Sequence, residues 1–140
     1  MKGLLDTCVL TEIGKADGNP TAKSVVAAIA TANLYLSVLT VGQIAKGIAL
    51  LAAGRKKAAL GTWLAQVEDR YADRILAIDA ETARIWGEPT ARAQKKGVII
   101  PAADGLLAAT ASRHGLHVIT RNTRHLEASG ALVIDSWHET

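Results

Sequence analysis

Cysteine is almost missing from this chain. Cys8 is the one thiol among 140 residues, which excludes an internal disulfide framework and leads us to expect a reducing, cytoplasmic setting. Hydrophobic residues make up 49%, yet no apolar run is long enough to span a membrane. The opening Met1-Lys2-Gly3-Leu4-Leu5-Asp6 lacks the apolar stretch of a signal peptide, because an acid interrupts it at once. There is no G-x-x-x-x-G-K-S/T loop and no G-x-G-x-x-G, so nothing supports a nucleotide cradle. Zinc spacing is missing too. His114 and His117 straddle a helix end and a strand start, and His125 and His138 have no partner at ligand spacing. Internal repeats and low-complexity tracts are absent.

What is present describes one domain, residues 1–140, large enough to bury a real core. The formal charge of +3 is mildly basic; it permits a nucleic-acid partner without requiring one. Leu4-Leu5 reads as a short buried strand, followed by a polar loop over 11–20 and a helical Ala/Val-rich stretch over 22–32. Tyr35 to Val38 reads as a second strand. From Thr40, the spacing of Val41, Ile44, Ile48 and Leu51 predicts a helix, with Gly54 as its stop. A further helix carries Leu60, Trp63, Leu64 and Val67 on a single stripe.

Residues 74–78 read as a strand, with Asp79 capping a helix over 80–96 that Pro89 should kink or split. Pro101 suits a first helical position, and that helix should run to His114 and stop at Gly115. His117 to Thr120 reads as a strand, residues 121–130 as a loop, and residues 132–134 as a last strand. Strands alternating with helices predict a mostly parallel sheet covered on both faces.

Four positions then stand out. Asp6 ends the first strand, and Asp104 lies in the first turn of the helix after Pro101. In open α/β sheets, strand C-termini and helix N-termini share one crevice where ligands bind, and carboxylates gathered there suit a hard cation. Each acid also has an ordinary reading, Asp6 as a turn or cap and Asp104 as an anion on a helix dipole. The small neighbours Ala102, Ala103 and Gly105 leave room beside Asp104. Gln43 closes a T-x-x-Q capping box with Thr40, or else offers a neutral oxygen to a cation. Asn122, directly after a strand, is either a turn residue or a further oxygen donor. Arg121 and Arg124 beside it are either clamps for a nucleic-acid backbone or solvated loop residues.

Read together, these segments resemble the PIN domain, and specifically the VapC/FitB-type toxins of toxin–antitoxin pairs, over essentially the whole chain. Residues 4–10, Leu-Asp-Thr-Cys-Val-Leu after the first leucine, resemble the opening L-D-T-N-V-I/L. Residues 36–48 resemble L-S-x-I/L-T-x-x-E-I/L-x-x-G-I/V. Residues 102–111 resemble A-A-D-x-x-I-A-A-T-A, and Thr120-Arg121-Asn122 resembles T-R-D/N. Each motif alone is weak; all four in this order and spacing are specific.

The resemblance implies a PIN-like α/β/α sandwich in which acids bind Mg²⁺ or Mn²⁺ and activate water to cleave RNA. Carried over by position, Asp6 and Asp104 match two metal-binding acids. Gln43 and Asn122 complete the catalytic set, although Gln43 stands where the family has Glu and Cys8 where it has Asn. Thr7, Ser37 and Thr120 become candidates to orient ligands or water, and Arg121 and Arg124 to hold RNA. The implied partners are an RNA substrate, a cognate antitoxin and a second copy of the chain. The neutral Gln43 leaves two carboxylates in the crevice, so attenuated cleavage is expected. Rival readings are a cleavage-impaired PIN-fold module that binds an antitoxin or RNA, and a DNA-directed nuclease.

Overall fold

Leu4 and Leu5, both fully buried, explain most of the architecture. Successive strand residues face opposite sides of a sheet. Leu4 therefore packs with Leu107, Ala108, Ala111, Val118 and Leu126 on one side. Leu5 packs with Val9, Leu10, Val26, Ile44, Val67 and Ile119 on the other. The result is a sheet with a separate apolar layer on each face. The computed structural model describes residues 1–137; His138 lies outside them.

The strands are β1 (Gly3–Leu5), β2 (Leu34–Ser37), β3 (Ile75–Leu76), β4 (His117–Thr120) and β5 (Val133–Asp135), in the order β3-β2-β1-β4-β5. Every neighbouring pair is parallel. The helices are α1 (Thr7–Ile13), α2 (Pro20–Ala27), α3 (Val38–Ala49), α4 (Arg55–Arg70), α5 (Ala80–Lys95), α6 (Ala102–His114) and α7 (Thr123–Ala128). Residues from α1 to α4 fill the Leu5 layer, and residues from α6 and α7 fill the Leu4 layer. The chain leaves β1 toward β2 and β3, then returns to lay β4 on the other side of β1. That reversal makes a topological switch point at the carboxyl ends of β1 and β4, where doubly wound sheets hold ligands.

Several boundaries differ from the sequence expectation. Helix α1 starts at Thr7, directly after β1, and occupies part of the loop expected from Thr11. Its buried Val9 and Leu10 supply the tertiary reason. Helix α3 starts at Val38, capped by Ser37, whose hydroxyl accepts the Leu39 N–H at 3.1 Å. Thr40 is therefore already helical, and the Thr40–Gln43 capping box does not form. Gly54 stands at the start of α4, and α3 ends earlier, at Ala49. Helix α5 runs unbroken through Pro89. Pro101 precedes α6 as its cap position. The loop expected over 121–130 contains α7, held down by the fully buried Leu126.

Asp79 caps α5 as expected: its carboxylate accepts the Thr82 N–H at 2.9 Å and the Thr82 hydroxyl at 2.8 Å. Those bonds hold its carboxyl below the ordinary range. Gly115 ends α6 at a φ of 67°, a left-handed conformation that favours glycine.

Gly105 has a different role from the one its small size suggests. A β-carbon there would lie 2.8 Å from Cδ1 and Nε1 of Trp86 on α5, so the missing side chain lets α5 approach α6. The indole Nε1 is buried without a hydrogen-bond partner. Alanine at 105 adds helix propensity of roughly 1 kcal/mol, but overpacking against the partly buried Trp86 ring costs about 1–3 kcal/mol. Gly105→Ala is expected to lower the urea midpoint; an unchanged or higher midpoint would show that the helices separate freely.

Candidate active site

Asp6 is fixed between two strands. Its backbone N–H donates to the Ile119 carbonyl at 3.0 Å, extending the β1–β4 ladder by one bond. Its side chain caps α1: Oδ1 accepts the Thr7 N–H at 2.7 Å. Oδ2 accepts the Thr120 hydroxyl at 2.7 Å. The fully buried Thr120 in turn accepts the Asn122 N–H at 2.9 Å. One hydroxyl thus ties the acid ending β1 to the residue that follows β4. A carboxylate has about four lone-pair sites, so Asp6 keeps acceptor capacity beyond these bonds.

Gln43 joins the same group through Thr7, whose hydroxyl donates to its Oε1. The contact needs α3 to present Gln43 toward the start of α1, which the earlier start of α3 achieves. Ser37, by contrast, is fully buried and caps α3. Cys8 has its Sγ 3.7 Å from Asp6 Oδ2 and 3.9 Å from Thr120 Oγ1. Burial first, and then the nearby Asp6 charge, push its thiol up, against a lowering by the Arg121 backbone. A raised pKa favours the neutral thiol over the more nucleophilic thiolate.

Asp104 occupies the first turn of α6, which begins without a side-chain cap. Its Oδ2 lies 3.2 Å from His125 Nδ1 on α7. Asn122 is the cap position of α7, yet its side chain makes no capping bond. Asp6, Thr7, Gln43, Thr120 and Asn122 thus form one bonded group, and Asp104 contacts His125 on α7, the helix whose cap position is Asn122. Arg121 is exposed, its guanidinium 5.3 Å from the centroid of the Trp137 ring, a cation–π distance. Arg124 is exposed on α7.

In the sequence His125 has no partner at zinc-ligand spacing, and no other role is legible there. Its partner is 21 residues away, outside any ligand spacing, and it became visible only once α7 replaced the expected loop. Among the described residues, no three His, Cys, Asp or Glu side chains gather closely enough to hold a metal ion. Gln43 and Asn122 carry neutral amides and add no charge to such a group. The two carboxylates and two amides offer oxygens, chemistry that suits a hard cation retaining several waters, while the Cys8 sulfur and the His125 nitrogen lie beside Asp6 and Asp104.

Residues 3–131 match the PIN domain family. The chain is 35% identical over 135 residues to VapC ribonuclease Y4jK of Sinorhizobium fredii, covering 96% of each. It is 36% identical over 137 residues to toxin FitB of Neisseria gonorrhoeae, covering 97% of this chain and 99% of that one. The crystal structure of FitAcB from N. gonorrhoeae superposes with a TM-score of 0.92 at 36% identity, over 98% of this chain and 99% of the other.

Proposed function

This chain belongs to the PIN domain family, among the VapC/FitB-type toxins of toxin–antitoxin pairs, and from that premise we propose that it is a metal-dependent endoribonuclease. The reading is carried by the Asp6–Thr120–Asn122 chain of hydrogen bonds at the switch point of the sheet. Asp6 and Asp104 would hold Mg²⁺ or Mn²⁺, with Gln43 and Asn122 available to complete the set through oxygens or water. A bound ion of this kind supplies Lewis acidity, easing deprotonation of an attacking water and offsetting charge that gathers on the phosphate.

The protein's own residues do the positioning. Thr120 and the Thr7 N–H hold both oxygens of Asp6, so the acid does not reorient when substrate arrives. Thr7 holds the Gln43 amide toward the same corner. Arg121, steadied by Trp137, and Arg124 lie beside it to take RNA phosphates. Cleavage of a single-stranded RNA in Mn²⁺, lost in chelator, with the matching DNA uncut, is the expected behaviour. Equal cutting of DNA would favour the rival nuclease.

A second reading is a cleavage-impaired binding module. Gln43 in place of a third acid favours it, together with the lack of three clustered acids or histidines among the described residues. The same assay separates the two, since a binding module retains RNA without cutting it.

The likeness to toxin FitB and to FitAcB supports a cognate antitoxin as partner, and we assign the chain to the cytoplasm as a homodimer of 1–140 PIN domains. Among the described residues, no helix is long and apolar enough to cross a membrane. The α4 stripe divides between core and surface. Val67 is in the core and Trp63 and Leu64 pack against it. Leu60 and Trp63 line a groove of about 520 Å³ with Thr11, Gly14, Lys15 and Lys56. We place an antitoxin helix there, its apolar side on Leu60 and Trp63. Co-expression should yield a stable complex, and Leu60→Arg should disrupt it without unfolding the toxin. A complex that survives this change would move the antitoxin elsewhere.

A further inference from the structure

Building on the metal-dependent reading above, we infer that His125 is the positioning residue that aims the Asp104 carboxylate into the site. The start of α6 makes such a residue necessary. Pro101 precedes the helix and there is no side-chain cap, so the amide N–H groups of the first turn have no side-chain acceptor supplied from before the helix. An acid in that first turn is drawn toward those same amides by the helix dipole. An Asp104 that folds back onto its own helix is removed from the crevice.

His125 opposes that motion. Its Nδ1 stands 3.2 Å from Asp104 Oδ2, and because an ionised carboxylate only accepts, the imidazole donates from Nδ1. The second oxygen, Oδ1, is left for the cation. The donor itself is held. The next residue, Leu126, is fully buried in the layer that contains Leu107 and Ala108 of α6. The His125 carbonyl also accepts the Ser129 hydroxyl at 2.9 Å. Helix α7 therefore couples two parts of the site: it begins at Asn122, bonded to Thr120, and one turn later it grips Asp104. Partners of this kind, which orient a ligating carboxylate without touching the ion, typically change metal affinity 10–100-fold when removed.

The test is calorimetric titration of the full chain with Mn²⁺ alone, for the parent protein, His125→Ala and His125→Asn. Asparagine places an amide N–H the same number of bonds from the backbone as Nδ1. We expect the alanine variant to bind Mn²⁺ roughly 10-fold or more weakly, and the asparagine variant to recover to within about 3-fold of the parent. Melting temperatures in chelator should stay close for all three, which a merely structural role would not allow. Parent-like affinity in His125→Ala, or no recovery in His125→Asn, overturns the inference while leaving the metal reading intact. Should the alanine variant fail to fold, His125→Phe, which keeps a ring and removes the donor, takes its place, with roughly 10-fold weaker binding expected and parent-like affinity overturning the inference. A parent protein that takes up no Mn²⁺ overturns the metal reading and this inference together.

Discussion

Gln43→Glu is expected to raise Mn²⁺-dependent RNA cleavage by about 10–100-fold, equivalent to roughly 1.4–2.7 kcal/mol of barrier. The substitution is nearly isosteric, and the Thr7 hydroxyl that donates to Oε1 donates equally well to a carboxylate. What changes is charge. A third acid would join Asp6 and Asp104, and under the proposed mechanism a bound ion would have three negative ligands in place of two. In chelator the added charge crowds Asp6, so the variant should be neutral or less stable by up to about 1 kcal/mol. In excess Mn²⁺ the sign reverses, because whatever binds the folded state more tightly stabilises it by linkage, about 2.7 kcal/mol at a hundredfold excess over Kd. Thermal melts that shift with Mn²⁺ by the same amount in both proteins would put residue 43 outside the reach of the ion.

Asp6→Asn should reduce cleavage by roughly 10³-fold, about 4 kcal/mol, since under the proposed mechanism it removes one of the two charges that would hold the ion. Stability should change far less, within about 1 kcal/mol. Asparagine caps helices as well as aspartate does, so the Thr7 N–H at the start of α1 keeps its acceptor. Thr120, which donates to Asp6 in the parent protein, accepts from the new amide instead. Single-turnover cleavage alongside melts in chelator separates the two effects. Undiminished cleavage by a folded Asp6→Asn would remove Asp6 from the mechanism.

The positions of Asp6 and Asp104 were readable in the sequence because their surroundings speak plainly. An acid follows the apolar pair Leu4-Leu5, and another follows a proline at the head of an alanine-rich helix. The parallel sheet followed from the same alternation of strands and helices. Helix starts were harder where two capping hydroxyls compete. Ser37 and Thr40 are three residues apart, and the earlier one wins, one turn ahead of the expected start. That shift turns Gln43 from a presumed cap partner into a residue facing Thr7. Helix α7 was hidden for another reason: its polar sequence resembles a loop, and only the burial of Leu126 against α6 makes it helical. With α7 went His125, whose partner lies on a different helix. The role of Gly105 was equally illegible, because the ring it accommodates comes from Trp86 on α5.

Asp6 and Asp104, far apart in the chain, are proposed to hold a single ion. The most direct test is a double-mutant cycle on Mn²⁺ affinity, measured by calorimetry for the parent, Asp6→Asn, Asp104→Asn and the double variant. Residues sharing one ligand act as a unit and are strongly non-additive. Each single change should therefore weaken binding sharply, with the double variant binding no more weakly than either. Affinity unchanged in either single variant, or losses that simply add, would contradict the shared site.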